Sequence, residues 1–219
     1  SRPRLVTMAL IAPLRNPLLL AKQAATIDVL SAGRLTLGLT IGARRDDYEA
    51  VGIETAGRGA SLSVLLGELR DLWEGEVGPA TIQKGGPDLL VGGAGGAAML
   101  RMAQSADGYV HGGGPPRAFA SAADRAMAAW EDAERPGRPQ LWGQGFFALG
   151  DPDRGREHMR RYYAFAGGFA ERIAAETLTT PGAVKDFVRG YSDAECDELV
   201  LFPTTSDPDD LARLAEIVL

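Results

Sequence analysis

The run Asn16 to Gly42, NPLLLAKQAATIDVLSAGRLTLGLTIG, constrains this chain more than any other, because a helical pattern turns into a strand pattern within two residues. Pro17 stands where a first helical residue belongs, since its missing N–H and fixed φ cost nothing there. Asn16 before it is a good N-cap. Leu18, Ala21, Ala25, Ile27 and Leu30, with Asp28 among them, recur at helical spacing and are expected to form one buried stripe. Ser31-Ala32-Gly33 ends the helix, with Gly33 placed for the left-handed C-terminal turn. Leu35 to Gly42, LTLGLTIG, is short, apolar and Thr-rich, the pattern of a strand buried on both faces. A helix that feeds straight into such a strand is an αβ joint of a parallel sheet or barrel.

The alternation continues along the chain. Further strands are expected at Arg4–Ala12, Asp88–Val91, Asp107–His111, Gln140–Leu149 and Asp197–Phe202. An amphipathic helix is expected over Leu62–Trp73, with Leu62, Leu65, Leu66, Leu69, Leu72 and Trp73 on one side. Other helices follow at Ala97–Gln104, Arg117–Asp132, Pro181–Arg189 and Asp209–Val218, with two more inside Asp153–Thr177 that break at Gly167-Gly168. A long polar loop separates Gly42 from Leu62, and loops of that length in compact domains are functional or mobile. EGEVGPATIQKGGP, residues 74 to 87, reads as a linker with turn chemistry. Six strands alternating with helices and no convincing hairpin mean parallel strands with right-handed crossovers. Two architectures satisfy that, an open doubly wound sheet or a barrel.

Several function classes are disfavoured. A net charge of −6 with scattered arginines leaves no electrostatic footprint for nucleic acid. No apolar run approaches the roughly 18 residues of a membrane span. The start, SRPRLVTMALIAPLRNP, imitates a signal peptide, but Arg15 and Pro17 follow at once and no small-residue cleavage site is evident. A single cysteine, Cys196, excludes an intrachain disulfide framework and points to a reducing, cytoplasmic compartment. At 219 residues, the length suits one sizeable domain with a full core, with two small ones as the alternative.

Gly92-Gly93-Ala94-Gly95-Gly96 lies between an expected strand and an expected helix. Glycines there let backbone N–H groups approach an anion, and the helix dipole favours a phosphate; tight strand-to-helix turns also want glycine. Arg58, in GRGAS, is a second anion candidate, and Arg44 and Arg45 stand just past Gly42. Guanidinium is the natural bidentate partner for phosphate. His111 ends a strand, where a barrel places its catalytic residues; His158 lies in a polar helix and is expected to be solvated. Two histidines and one cysteine disfavour a zinc site, and the acidic cluster Asp46-Asp47-Tyr48-Glu49 reads as a solvated face. These residues support a phosphate-bearing ligand without identifying a reaction.

The ordered series Asn16-Pro17, Ala21 to Asp28, Leu30 to Arg34, Leu37 to Gly42, Tyr48 to Gly52, Arg58-Gly59 and Leu72 to Gly75 closely resembles the luciferase-like flavin monooxygenase family. PDLLVGGAGGAAMLRMAQSADGYVHGG and CDELVLFP…DDLARLAEIV resemble its later units, so the resemblance covers nearly the whole chain and is weakest over residues 117 to 190. It implies a TIM-type (β/α)8 barrel, a single domain over residues 1–219, with the first two βα units absent from this chain. The sequence is therefore expected to be a fragment.

The resemblance also implies FMN or, in some branches, a deazaflavin coenzyme. By position, a non-proline cis peptide under the flavin ring would fall at Met8-Ala9. The phosphate site would fall at Gly42 to Arg44, at Arg58 and at Gly92, Gly93, Ala94 and Gly95, with Thr40 beside it. The family's luciferases have an arginine where this chain has Ile41, and a reactive cysteine where it has Thr40. The first function implied is a monooxygenase that uses reduced FMN and O2 on a small organic substrate, with a separate flavin reductase. The alternatives are deazaflavin-dependent hydride transfer, or a non-catalytic flavin-binding or partner subunit. The catalytic residue is unknown, with His111 the one candidate. Dimerisation is common in the family, and the Leu62–Trp73 helix would suit an interface or the barrel equally. The substrate is expected to depend on the loops after Gly42, Gly112 and Leu149.

Overall fold

The computed structural model describes residues 2–75 and 78–219. Ser1, and Glu76 and Val77 of the expected linker, lie outside the described residues. Two compact units are present, one of Ser1–Val110 with Arg125–Gln140 and one of His111–Asp124 with Leu141–Leu219.

The first unit runs β1 (Leu5–Ile11), a 3-10 turn (Ala12–Leu14), α1 (Pro17–Ser31), β2 (Leu35–Thr40), α2 (Arg45–Ala50), α3 (Arg58–Glu74), β3 (Asp88–Gly92), α4 (Gly96–Ser105) and β4 (Gly108–Val110). Strands β1 to β4 lie side by side in chain order and every pair is parallel. A helix between consecutive strands returns the chain to the same edge, so parallel pairing follows from the alternation. Leu35, Leu37 and Leu39 of β2 and Leu89, Leu90 and Val91 of β3 are buried. Against this layer α3 sets Leu62, Leu65, Leu66, Leu69 and Trp73, as its periodicity predicts, while Leu72 is only half-buried. The Trp73 indole donates to the Ala21 carbonyl at 3.0 Å, joining α3 to α1.

Helix α1 begins as predicted: Asn16 Oδ1 accepts from the Leu19 N–H at 3.0 Å, with Pro17 at the first turn. Its buried face is another matter. Leu20, Ala21, Ala24, Ala25, Asp28 and Ser31 face inward, whereas Leu18, Ile27 and Leu30 are exposed, Leu30 by 82%. A helix apolar on most sides carries no periodic signal strong enough to choose a face, and its alanines allow the closer approach. Its end also differs. Ala32 adopts φ 57° and shares the left-handed turn expected of Gly33 alone, and the Gly33 N–H closes back on the Asp28 carbonyl at 2.9 Å.

The polar loop after Gly42 contains α2, and α3 starts at Arg58, four residues before the first residue of its leucine stripe. Tyr48 accounts for α2: it is fully buried and its hydroxyl donates to the Ile41 carbonyl at 2.5 Å. The described part of the linker is pinned. Asp28 accepts from the N–H groups of Ile82 and Gln83 at 2.7 and 3.0 Å, and Arg70 donates to the Gly85 carbonyl at 2.7 Å.

The second unit holds the first half of α5 (Pro116–Asp132), then β5 (Gln140–Phe147), α6 (Pro152–Tyr162), a 3-10 turn (Ala164–Ala166), α7 (Phe169–Ala175), α8 (Pro181–Asp193), β6 (Glu198–Pro203) and α9 (Asp209–Val218). Strands β5 and β6 pair in parallel from Trp142–Glu198 to Phe147–Pro203. Phe119, Tyr191 and Phe187 stack in series, with ring centroids 4.6 and 4.5 Å apart. Gly143 and Gly145 of β5 leave room for them, since a Cβ on either would strike Tyr191 or Phe187. Between β5 and α8 the chain makes an excursion through α6 and α7 and returns at Leu178. Leu178 bridges Phe147 in parallel, its N–H donating to the Phe146 carbonyl at 2.8 Å. The crossover that returns the chain to β6 is therefore α8.

Candidate functional site

Every cofactor candidate from the sequence falls in the first unit, at or near the C-terminal ends of β1, β2 and β3. The Met8–Ala9 peptide is cis. The register of β1 against β2 shifts there, with Thr7 opposite Leu37 and Leu10 opposite Leu39, so β1 carries one extra residue. Gly38 accommodates the irregularity. A Cβ at Gly38 would collide with the Thr7 carbonyl, and the Thr7 hydroxyl donates to the Gly38 carbonyl at 3.0 Å.

Two chains of contact lead away from the end of β2. On one side, Thr40 stands next to Gly92, where an added Cβ would come within 3.7 Å of the threonine Cβ. On the other, Tyr48 is anchored to Ile41 and the Arg58 guanidinium lies 5.8 Å from the Tyr48 ring centroid. Burial raises the Tyr48 phenol above its ordinary value, opposed by the Arg58 charge. The fold thus carries Arg58, sixteen residues after Gly42 in sequence, to the end of β2. Gly42 itself has φ 71° and would push a Cβ into Ile11.

The glycine turn is exposed from Gly93 to Gly96. Gly93 has φ 143° and sits against Ala98, whereas Cβ atoms at Gly95 and Gly96 would meet nothing within 4 Å. No side chain caps α4 at Gly95. The helix N-terminus therefore presents N–H groups beside the open space at Gly95 and Gly96, which fits an anionic oxygen. Arg125 donates to the Ala94 carbonyl at 3.0 Å at the same turn. Arg44 is engaged differently. Its guanidinium folds onto Asp46, with Nε 3.0 Å from Oδ1, and lies 3.9 Å from Asp47. That hydrogen bond holds the Asp46 carboxyl below the ordinary carboxylate range. An anion at Arg44 would have to displace those carboxylates.

His111 falls in the second unit, its N–H donating to the Trp142 carbonyl at 2.8 Å and its ring edge-on to Phe119. His158, expected to be solvated, instead is half-buried and bonds the Thr204 carbonyl through Nδ1 at 2.8 Å. A carbonyl only accepts, so Nδ1 carries the proton and the ring ties α6 to the segment after β6. Among the described residues no group of histidine, cysteine and carboxylate side chains could hold a metal ion, and no helix is long and apolar enough to cross a membrane. Burial pushes the Cys196 thiol up to about 11, which disfavours the reactive thiolate at neutral pH.

The second unit contains a cavity of about 350 Å³ at the C-terminal end of β5, within the usual range of small-molecule sites. Phe146, Tyr163, Phe169 and Phe187 contribute rings to its wall, the loop Gly112 to Pro116 forms another side, and among the described residues Glu176 is the one charged residue in the lining. No spacing argument pointed to this cavity. The signal available was aromatic density, with Tyr162, Tyr163, Phe165 and Phe169 in one short run.

A family profile described as luciferase-like monooxygenase matches residues 1–195. An uncharacterized protein of Mycobacterium tuberculosis is 34% identical over 119 residues, 48% of this chain and 40% of its own length. The oxygenase component of a flavin-dependent trigonelline monooxygenase from Acinetobacter baylyi is 35% identical over 75 residues, 33% of this chain and 21% of its own length. The chain thus spans less than half the length of these relatives. Among solved structures, the monooxygenase RslO1 of Streptomyces bottropensis superposes with a TM-score of 0.72 at 20% identity, over 98% of this chain and 75% of its own. The coenzyme F420-dependent tetrahydromethanopterin reductase of Methanopyrus kandleri gives 0.65 at 17% identity, over 92% and 78%. At such identities the structures share the parallel α/β fold expected from the alternation.

Proposed function

Because the chain belongs to the luciferase-like monooxygenase family, we propose that it is a flavin-binding part of an oxidoreductase and that FMN is held by its first unit. The observation that carries this is the convergence at the end of β2 of Arg58, reached through Tyr48, and of the bare glycine turn, reached through Thr40. A phosphate there would take a charge-assisted hydrogen bond from Arg58 and backbone N–H groups from the start of α4. Gly92, Gly93, Ala94 and Gly95 form the turn, open at Gly95, Gly42 and Thr40 line the end of β2, and Met8 and Ala9 belong to the neighbouring β1. Bound and reduced, FMN would supply the electrons for oxygenation of a small organic substrate. The protein orients the ring and excludes water. Arg44 is a lesser partner, since Asp46 already holds it. His111, directly after β4, is the candidate for holding or moving a proton. The Acinetobacter relative is an oxygenase component, which supports a separate reductase as the partner here.

The test is titration of the full-length protein with FMN and, separately, with coenzyme F420, read by flavin fluorescence. Saturable FMN binding is expected, and Arg58→Ala should weaken it about ten- to a hundredfold, the worth of a hydrogen bond to a charged group. Saturation by coenzyme F420 alone would favour the hydride-transfer reading that the Methanopyrus structure suggests. Binding of neither would leave the family resemblance as one of fold only.

A further inference from the structure

The aromatic cavity of the second unit carries an inference about substrate class, and it rests on the oxidoreductase reading above. We propose that this cavity binds an organic cation, a compact apolar body bearing a protonated or quaternary nitrogen that seats against the rings and the Glu176 carboxylate. Four rings line the cavity, from β5, from the end of α6, from α7 and from α8. Ring faces attract cations and repel carboxylates, most strongly where water is excluded. The single charged group in the wall is negative. Glu176 uses Oε1 to accept from Arg172 Nε at 3.1 Å, which fixes the carboxylate in place. Its other oxygen, Oε2, turns toward the glycine loop and lies 3.9 Å from where a Cβ on Gly114 would stand. Gly114 has φ 110°, and the glycine leaves the space in front of that oxygen open. Among the described residues, no lysine, arginine or histidine lines the cavity. Arg172 lies outside the lining, 5.8 Å from the Phe169 ring centroid and bound to Glu176. The wall therefore offers a donor-bearing or cationic ligand a carboxylate acceptor and aromatic rings, and offers an organic anion no cationic side chain.

Three ligands of nearly equal size separate charge from shape: 2-phenylethylamine, 2-phenylethanol and phenylacetate. Binding to the full-length protein without flavin is measured by calorimetry at pH 7, where the amine is protonated and the acid ionised. The expected order is amine, then alcohol, with phenylacetate at least tenfold weaker than the amine. Glu176→Gln should weaken the amine about fivefold or more, leave the alcohol within twofold, and strengthen phenylacetate by freeing Arg172. Arg172→Gln should leave the amine bound at least as well as before. Phe169→Ala, at a half-exposed ring, should weaken the amine more than the alcohol. Phenylacetate binding as well as the amine would overturn the proposal. So would an amine-to-alcohol ratio unmoved by Glu176→Gln, or binding of none of the three. FMN titration of the Glu176→Gln protein keeps the two readings apart, since Glu176 has no part in the proposed phosphate site. Failure of cation binding with normal FMN binding would sink only the present proposal, and the reverse result only the flavin reading.

Discussion

Asp28 and Asp210 are fully buried carboxylates, and each is satisfied by the chain around it. Asp28 holds the loop at Ile82 and Gln83, more than fifty residues away. Asp210 accepts from the Gly150 N–H at 2.6 Å and the Thr205 hydroxyl at 2.7 Å, with Arg213 at 3.2 Å. Burial works to raise the Asp210 carboxyl, but those hydrogen bonds and the Arg213 charge outweigh it and hold it below the ordinary range. A carboxyl depressed in the folded state contributes stability above its unfolded value of about 4 and loses it as the pH falls through the folded value. Asp210→Asn should therefore cost about 1–3 kcal/mol at pH 7 and flatten the loss of stability as the pH falls below about 4, followed by urea unfolding at each pH. None of this was legible beforehand. Asp28 stands within the helical run beside its apolar stripe, and no local pattern announces a carboxylate whose partners lie in a distant loop. Arg58 could be flagged from its place before a helix, but Tyr48 as its anchor could not.

Elements were more legible, because their signals are local. The Asn16 cap, the Pro17 start and the leucine side of α3 stand where the sequence put them. The left-handed Gly33 that closes α1 is there too, with Ala32 sharing the turn; what the local pattern missed was the face of α1 and a helix inside a polar loop. For the face of α1 and for α2, a tertiary partner overrode a weak local preference. Glycines divide in the same way. Gly38 is required by contact, since a Cβ would strike the Thr7 carbonyl of the neighbouring strand, while Gly95 faces open space. Gly38→Ala should lower the melting temperature by many degrees or prevent folding. Gly95→Ala should leave it within a degree or two yet weaken FMN, if the turn carries the phosphate; calorimetry and flavin titration on the same pair of variants check both. The glycine turn was visible as composition, but which glycines pack and which stand open is a fact of the neighbouring strands.

At the scale of the molecule, burial concentrates where helix and sheet layers face one another, and the exposed face of α1 stands outside it. Leu66 is fully buried on α3, whereas Leu30 is 82% exposed. Leu66→Ala in this chain should cost about 2–5 kcal/mol through lost burial and the cavity left behind. Leu30→Ala should stay within about 0.5 kcal/mol, both read from denaturant midpoints at constant slope. The amino-acid sequence by itself determined the alternation of strands and helices, the parallel pairing that this forces, and the family, because periodicity, caps and ordered motifs are properties of short stretches. Only the tertiary structure decided which face of α1 is buried, that Arg58 meets the end of β2 through Tyr48, and that four aromatic residues from separate elements enclose one cavity around Glu176. Those are contacts between residues far apart in the chain, selected by packing and by the need of buried polar groups for partners, and no local pattern encodes them.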